Sequence, residues 1–145
     1  MSTLVSAFYA VRFEARPPLI RGTVLRPLSA DEFTEACEML LAEARKHRCQ
    51  FWLLDGRADE NNRPPDVYDW LSEEFLPRVR RALDRVPCLA FVAAPCFWSD
   101  LQARHYAPPA PHPVSGKFRA YWFVNETEAL AWLNRARPAE RPTMR

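Results

Sequence analysis

The side chains best placed to do chemistry sit where an apolar run gives way abruptly to polar residues. In the stretch 49–62, CQFWLLDGRADENN, the apolar residues stop at Asp55-Gly56-Arg57. Open α/β proteins build their sites at the carboxyl ends of strands, so Asp55, Gly56 and Arg57 are candidates to bind a ligand or partner, with Asp66 joining them from the next helix start. The competing account is plain turn chemistry, in which Asp55 bonds the backbone of the loop that follows it. A second group lies in the stretch 96–116, where Phe97, Trp98 and Tyr106 offer aromatic contacts. There the alternatives are recognition of a partner or tucking down onto the sheet edge.

Other chemistries lack their residues. The histidines are His47, His105 and His112, and the spacing of His105 and His112 from Cys96 fits no zinc pattern, so no metal site is expected. A glycine-rich phosphate loop needs more than Gly22, Gly56 and Gly116. No nucleophile and base are paired by any recognisable motif. The expectation is a protein without catalytic residues or cofactor, and an enzyme is the less favoured class.

The elements around these residues follow from periodicity. Residues 4–14 alternate, with Val5, Ala7, Tyr9, Val11 and Phe13 on one side and Ser6, Arg12 and Glu14 on the other, which predicts one half-buried strand. ARPP makes a turn, and residues 19–26 return as a second, antiparallel strand. Ser29 and Glu32 form a capping box, flanked by Leu28 and Phe33 at the staple positions. The helix they begin carries Phe33, Ala36, Cys37, Leu40, Leu41 and Ala44 as its apolar stripe, with His47 in the last turn as a cap or core residue.

Residues 49–55 are apolar on both faces and predict a central parallel strand. A helix with Val67, Trp70, Leu71 and Phe75 follows, and Pro77 must kink it or restart it. Val79, Leu83 and Val86 continue its apolar side, and 88–94 forms another buried strand. A short helix through DLQARHY leads into APPAPHPVSG, whose four prolines exclude regular structure. KFRAYWFV is the last strand, and Asn125 with Glu128 caps a last helix carrying Ala129, Leu130, Trp132 and Leu133. That cap also accounts for Asn125-Glu126-Thr127, which matches a glycosylation acceptor. The order β-β-α-β-α-β-α-β-α implies an α/β fold: a mixed, mostly parallel five-stranded sheet with an N-terminal antiparallel hairpin and helices packed on it. One domain spans 1–136, with the proline-rich excursion at 96–116, and 137–145 is a frayed basic tail.

Composition narrows the class. The chain has 145 residues, 48% hydrophobic and 26% charged, enough for one core without disulfides or metal. A net charge of +2, with acids interleaved among the arginines, excludes a nucleic-acid stripe. No apolar run could span a bilayer, and Cys37, Cys49, Cys88 and Cys96 have no framework spacing. A reduced cytoplasmic location is expected.

The capped helix SADEFTEACEMLLAEA, the strand-to-loop FWLLDGR and the ending AYWFVNETEALAWL resemble the STAS domain of bacterial anti-sigma-factor antagonists, with its SpoIIAA-like and SEC14-like relatives. The resemblance spans about residues 5–135 and implies a non-enzymatic signalling module acting through a protein partner. A homodimer is also within its range. The family's phosphorylated Ser or Thr lies just past the third strand, where this chain reads Asp55-Gly56-Arg57-Ala58, with Asp59 and Glu60 as fixed negative charge nearby. SEC14-like relatives bind apolar ligands, which makes a small apolar ligand or lipid the alternative to a protein partner.

Overall fold

The computed structural model describes residues 2–59, 69–93 and 118–137. Six strands form one sheet whose spatial order is their order in the chain. They are β1 (Ser2–Val5), β2 (Tyr9–Ala15), β3 (Pro18–Val24), β4 (Phe51–Asp55), β5 (Cys88–Val92) and β6 (Arg119–Phe123). The pairs β1–β2 and β2–β3 are antiparallel, and β3 through β6 run parallel.

The extra strand corrects the expectation of five. Residues 4–14 are not one strand but a hairpin that turns at Ser6. The Ser6 hydroxyl accepts from the Phe8 and Tyr9 amides at 3.4 and 3.2 Å, and the Ser6 amide donates to the Tyr9 carbonyl at 2.8 Å. Local side-chain bonds of this kind offer the backbone an alternative to the ladder. Register then decides the faces. Val5 pairs with Ala10 and Leu4 with Val11, so Val5 leaves the core side and stands 61% exposed. Tyr9 and Val11 stay buried on the expected face. The second hairpin turns at Arg16-Pro17, as the prolines predict, and its peptide bond is cis.

Helix α1 (Ala30–His47) starts at the capping box read from the sequence. The Ser29 hydroxyl accepts from the Glu32 amide at 3.2 Å, and the Glu32 carboxylate accepts from the Ser29 amide at 3.0 Å. Its buried side is Ala36, Cys37, Leu40, Leu41 and Ala44, together with Glu43. His47 stacks on Phe13, ring centroids 3.8 Å apart, and its Nε2 lies 3.5 Å from Glu43, which is a packing role.

Pro77 has the expected effect by a particular route. A π-helical turn, Leu71–Phe75, runs directly into α2 (Leu76–Leu83), and the Leu76 amide reaches back five residues to the Leu71 carbonyl. The wider turn accommodates a proline that has no amide to donate and whose ring crowds the preceding turn. It also brings Leu71 and Phe75 into the same core as Trp52.

Helices α1 and α2 share one face of the sheet with Tyr9, Val11, Ile20, Trp52 and Leu89. The other face takes α3 (Glu126–Ala136), whose Ala129, Trp132 and Leu133 pack on Leu19, Phe51, Leu53, Ala90 and Phe123. The Asn125 side chain caps α3 by accepting from the Glu128 amide at 2.8 Å. Described Cys37, Cys49 and Cys88 are buried and form no disulfide. The excursion 96–116, with its short helix, and all but the first residue of the tail lie outside the described residues.

Candidate functional site

Strand β4 delivers Asp55 to the carboxyl edge of the sheet, opposite Thr23 of β3 and Val92 of β5. The chain turns there at once. The Asp59 amide donates to the Gly56 carbonyl at 3.0 Å, closing a four-residue turn, and the Gly56 amide donates to the Val92 carbonyl at 2.8 Å. Gly56 is not required by conformation, since its φ is not left-handed and a Cβ would stand 3.7 Å from the Val92 oxygen.

Asp55 is engaged from two directions by Arg57. Its Oδ1 accepts from the Arg57 amide and from Nε, both at 3.0 Å, and its Oδ2 accepts from Nη2 at 2.7 Å. The loop-backbone bond expected of turn chemistry is therefore present, with a bidentate ion pair added to it. Burial alone would raise the Asp55 carboxyl, but the bonds from Arg57 outweigh it and hold the group below its usual range. Arg57 continues to Glu126 at 3.7 Å, Glu126 to Arg21 at 3.0 Å, and Arg21 to Glu14 at 2.9 Å. A chain of alternating charges thus crosses from β2 to α3 over the face that α3 covers.

On the opposite face, the same strand ends border a cavity of about 100 Å³. It lies between α1 and the π-helical turn. Its walls are apolar, from Val24, Leu28, Leu40, Leu71, Phe75 and Leu89, and its rim holds Asp55, Gly56 and Asp59. Asp59 also braces the rim, accepting from the Leu28 amide at 3.2 Å where the chain enters α1. Tyr9 lines this cavity too.

Of the residues singled out from the sequence, the structure brings Asp55, Gly56 and Arg57 together. Asp55 and Gly56 border the cavity, while Arg57 pairs with Glu126 of the α3 side. Asp66, Phe97, Trp98 and Tyr106 lie outside the described residues. Tyr9 was legible only as one member of an alternating strand. The signal that could have marked it is Gly22 in the middle of LIRGTV, because glycine inside a strand often records a close approach.

No family model, curated protein or solved structure matches this chain. Among the described residues no three His, Cys, Asp or Glu side chains cluster to hold a metal. No described helix is long and apolar enough to cross a membrane.

Proposed function

We propose that this chain is a non-enzymatic, cytoplasmic binding module of STAS-like type that takes a small apolar ligand at the carboxyl end of its sheet. The observation that carries this reading is the cavity itself: about 100 Å³, walled by leucines, Val24 and Phe75. An engineered apolar cavity of about 150 Å³ takes up benzene, which sets the scale of molecule a space of this order can hold.

Ligand-observed NMR with toluene tests the reading. The protein should show saturation transfer to toluene, and Ala36→Leu, which fills the cavity from α1, should abolish it while the fold persists. Equal transfer in both proteins, or none in either, rejects the cavity as the site.

A protein partner is the second reading, favoured by Leu25 and Val124. Each is 47% exposed, and they follow β3 and β6 at the same end of the sheet as the cavity rim. Native mass spectrometry separates the two readings: a co-purifying small mass favours the ligand, and a bound protein without one favours the partner.

A further inference from the structure

The amino edge of the sheet, at the far end from the cavity, holds two guanidiniums without a countercharge. Phe51, Cys88 and Arg119 are register partners in one row, where β4, β5 and β6 begin. Helix α3 runs back over that face and ends at Ala136. Arg137 therefore arrives beside the row, its guanidinium carbon 4.4 Å from the centre of the Phe51 ring. The Arg119 guanidinium lies 5.9 Å from the centre of the Trp132 ring on the same face. The charges of both reach the Cys88 thiol, which marks where they converge. Of the half-buried arginines among the described residues, Arg21, Arg78 and Arg80 each face a carboxylate, whereas Arg119 and Arg137 do not. Stacking on a ring uses the face of a guanidinium and leaves its N–H edge open. Among the described residues Arg119 Nε is buried with no hydrogen-bond partner. Arg137 engages only its Nε, which donates to Asn134 Oδ1 at 3.3 Å.

We propose that Arg119 and Arg137 form a site for a phosphate group, free or carried by a small molecule, at the amino edge of the sheet. The site is separate from the apolar cavity and does not depend on it. Buried charge is costly unless it is paired, and burial already lowers the Arg137 guanidinium from its usual range. The thiol between the two arginines supplies no countercharge. Burial pushes Cys88 up by more than Arg119 and Arg137 bring it down, so it keeps its proton. Arg85, whose charge reaches the neighbouring Cys49, adds to the positive potential of this edge. A phosphate monoester carries about −1.5 to −2 charges at pH 7 and three acceptor oxygens, which match two guanidinium forks. Phe51 and Trp132 hold those forks against their rings, so less freedom is lost when the anion binds.

Titration with inorganic phosphate at constant ionic strength, followed by NMR of the arginine Nε–H signals and backbone amides, tests this. The wild type should show saturable shifts at Arg119 and Arg137. Arg119→Gln and Arg137→Gln should each weaken binding about tenfold. Arg135→Gln, at an exposed position near the end of the same helix, should leave it unchanged. Should a glutamine variant fail to fold, Arg119→Lys and Arg137→Lys keep the charge and lose the fork, and weaker binding is expected there too. Vesicles of phosphatidic acid in phosphatidylcholine separate the sources of phosphate. A response to soluble phosphate supports the site, whereas binding to vesicles with none to soluble phosphate overturns it in favour of a membrane surface. No saturable shift in the wild type, or an equal loss in Arg135→Gln, overturns it as well. Binding that appears only in Glu140→Gln would show that the chain's own carboxylate fills the cluster, and the proposal would fall.

Discussion

The phenol of Tyr9 lies across Gly22, occupying the space where a side chain on that residue would begin. Val11 is the direct partner of Gly22 in the ladder, and Tyr9 stands two residues away on the same face. The glycine thus makes room for the diagonal packing of the Tyr9 ring across the ladder.

Gly22→Ala should therefore displace Tyr9. The new methyl would also come within 2.9 Å of Leu40 Cδ2, so the ring cannot simply slide toward α1. We expect a loss of about 1–3 kcal/mol in urea unfolding, as for other overpacked cores. An unchanged or higher midpoint would mean that the ring relaxes freely and that its place over Gly22 is not enforced.

Ser29→Ala should cost about 1 kcal/mol, because the Glu32 amide loses its acceptor at the start of α1. The same cap makes an acid-sensitive element. Arg26, then the Ser29 amide, lower the Glu32 carboxyl from its usual 4.5 to about 2. A carboxyl depressed in the folded state contributes stability that is complete above its unfolded value and disappears as pH falls through the folded one. The contribution of Glu32 should thus fade between about pH 4.5 and 2, and Glu32→Gln should flatten the pH dependence of stability over that window. An identical slope in the variant would remove Glu32 from the account.

Asp55→Asn should lower stability by less than about 1 kcal/mol. The amide oxygen still accepts from the Arg57 backbone and Nε, while the bond from Nη2 and the charge facing an exposed guanidinium are lost. Because the Asp55 carboxyl is held below its usual 3.8, its share of stability is present above that value and is lost as pH falls past its lowered folded position. A clear gain in stability on Asp55→Asn would show a carboxylate kept at a cost, the mark of a working group.

Arg21 joins Glu14 on β2 to Glu126 on α3, so removing it takes one partner from each of two carboxylates, leaving Arg12 to Glu14 and Arg57 to Glu126. Arg21→Gln should cost about 1 kcal/mol, since both carboxylates still reach water. Burial would raise the Glu14 carboxyl, yet bonds from Arg21 and Arg12 hold it lower. Its titration by carboxyl NMR should therefore move upward in the variant. No movement would mean that Arg12 alone governs it.

Caps and buried strands were legible because they are local. Ser29 with Glu32, Asn125 with Glu128, and the two-sided apolar run at Phe51–Asp55 all announce themselves within a few residues. The break at Ser6 was not legible, because Val5, Ala7 and Tyr9 keep period two straight through a turn, and only pairing register shows that Val5 has changed face. The π-helical turn was half legible: Pro77 requires a disturbance but does not say which kind. The cavity is the least local feature of all. It brings together Tyr9, Leu28, Leu71 and Leu89 from four separate stretches of the chain, and no spacing in the chain encodes their meeting.

Strand order in this sheet has a kinetic side. Each of the six strands lies beside the strand that precedes it in the chain, so no pairing has to wait for a distant segment to arrive. Loop closure is short at the two hairpins, β1–β2 and β2–β3, and spans one helix between β3 and β4. The N-terminal hairpin can form first and serve as a template, with β4, β5 and β6 laid down in turn as they leave the ribosome.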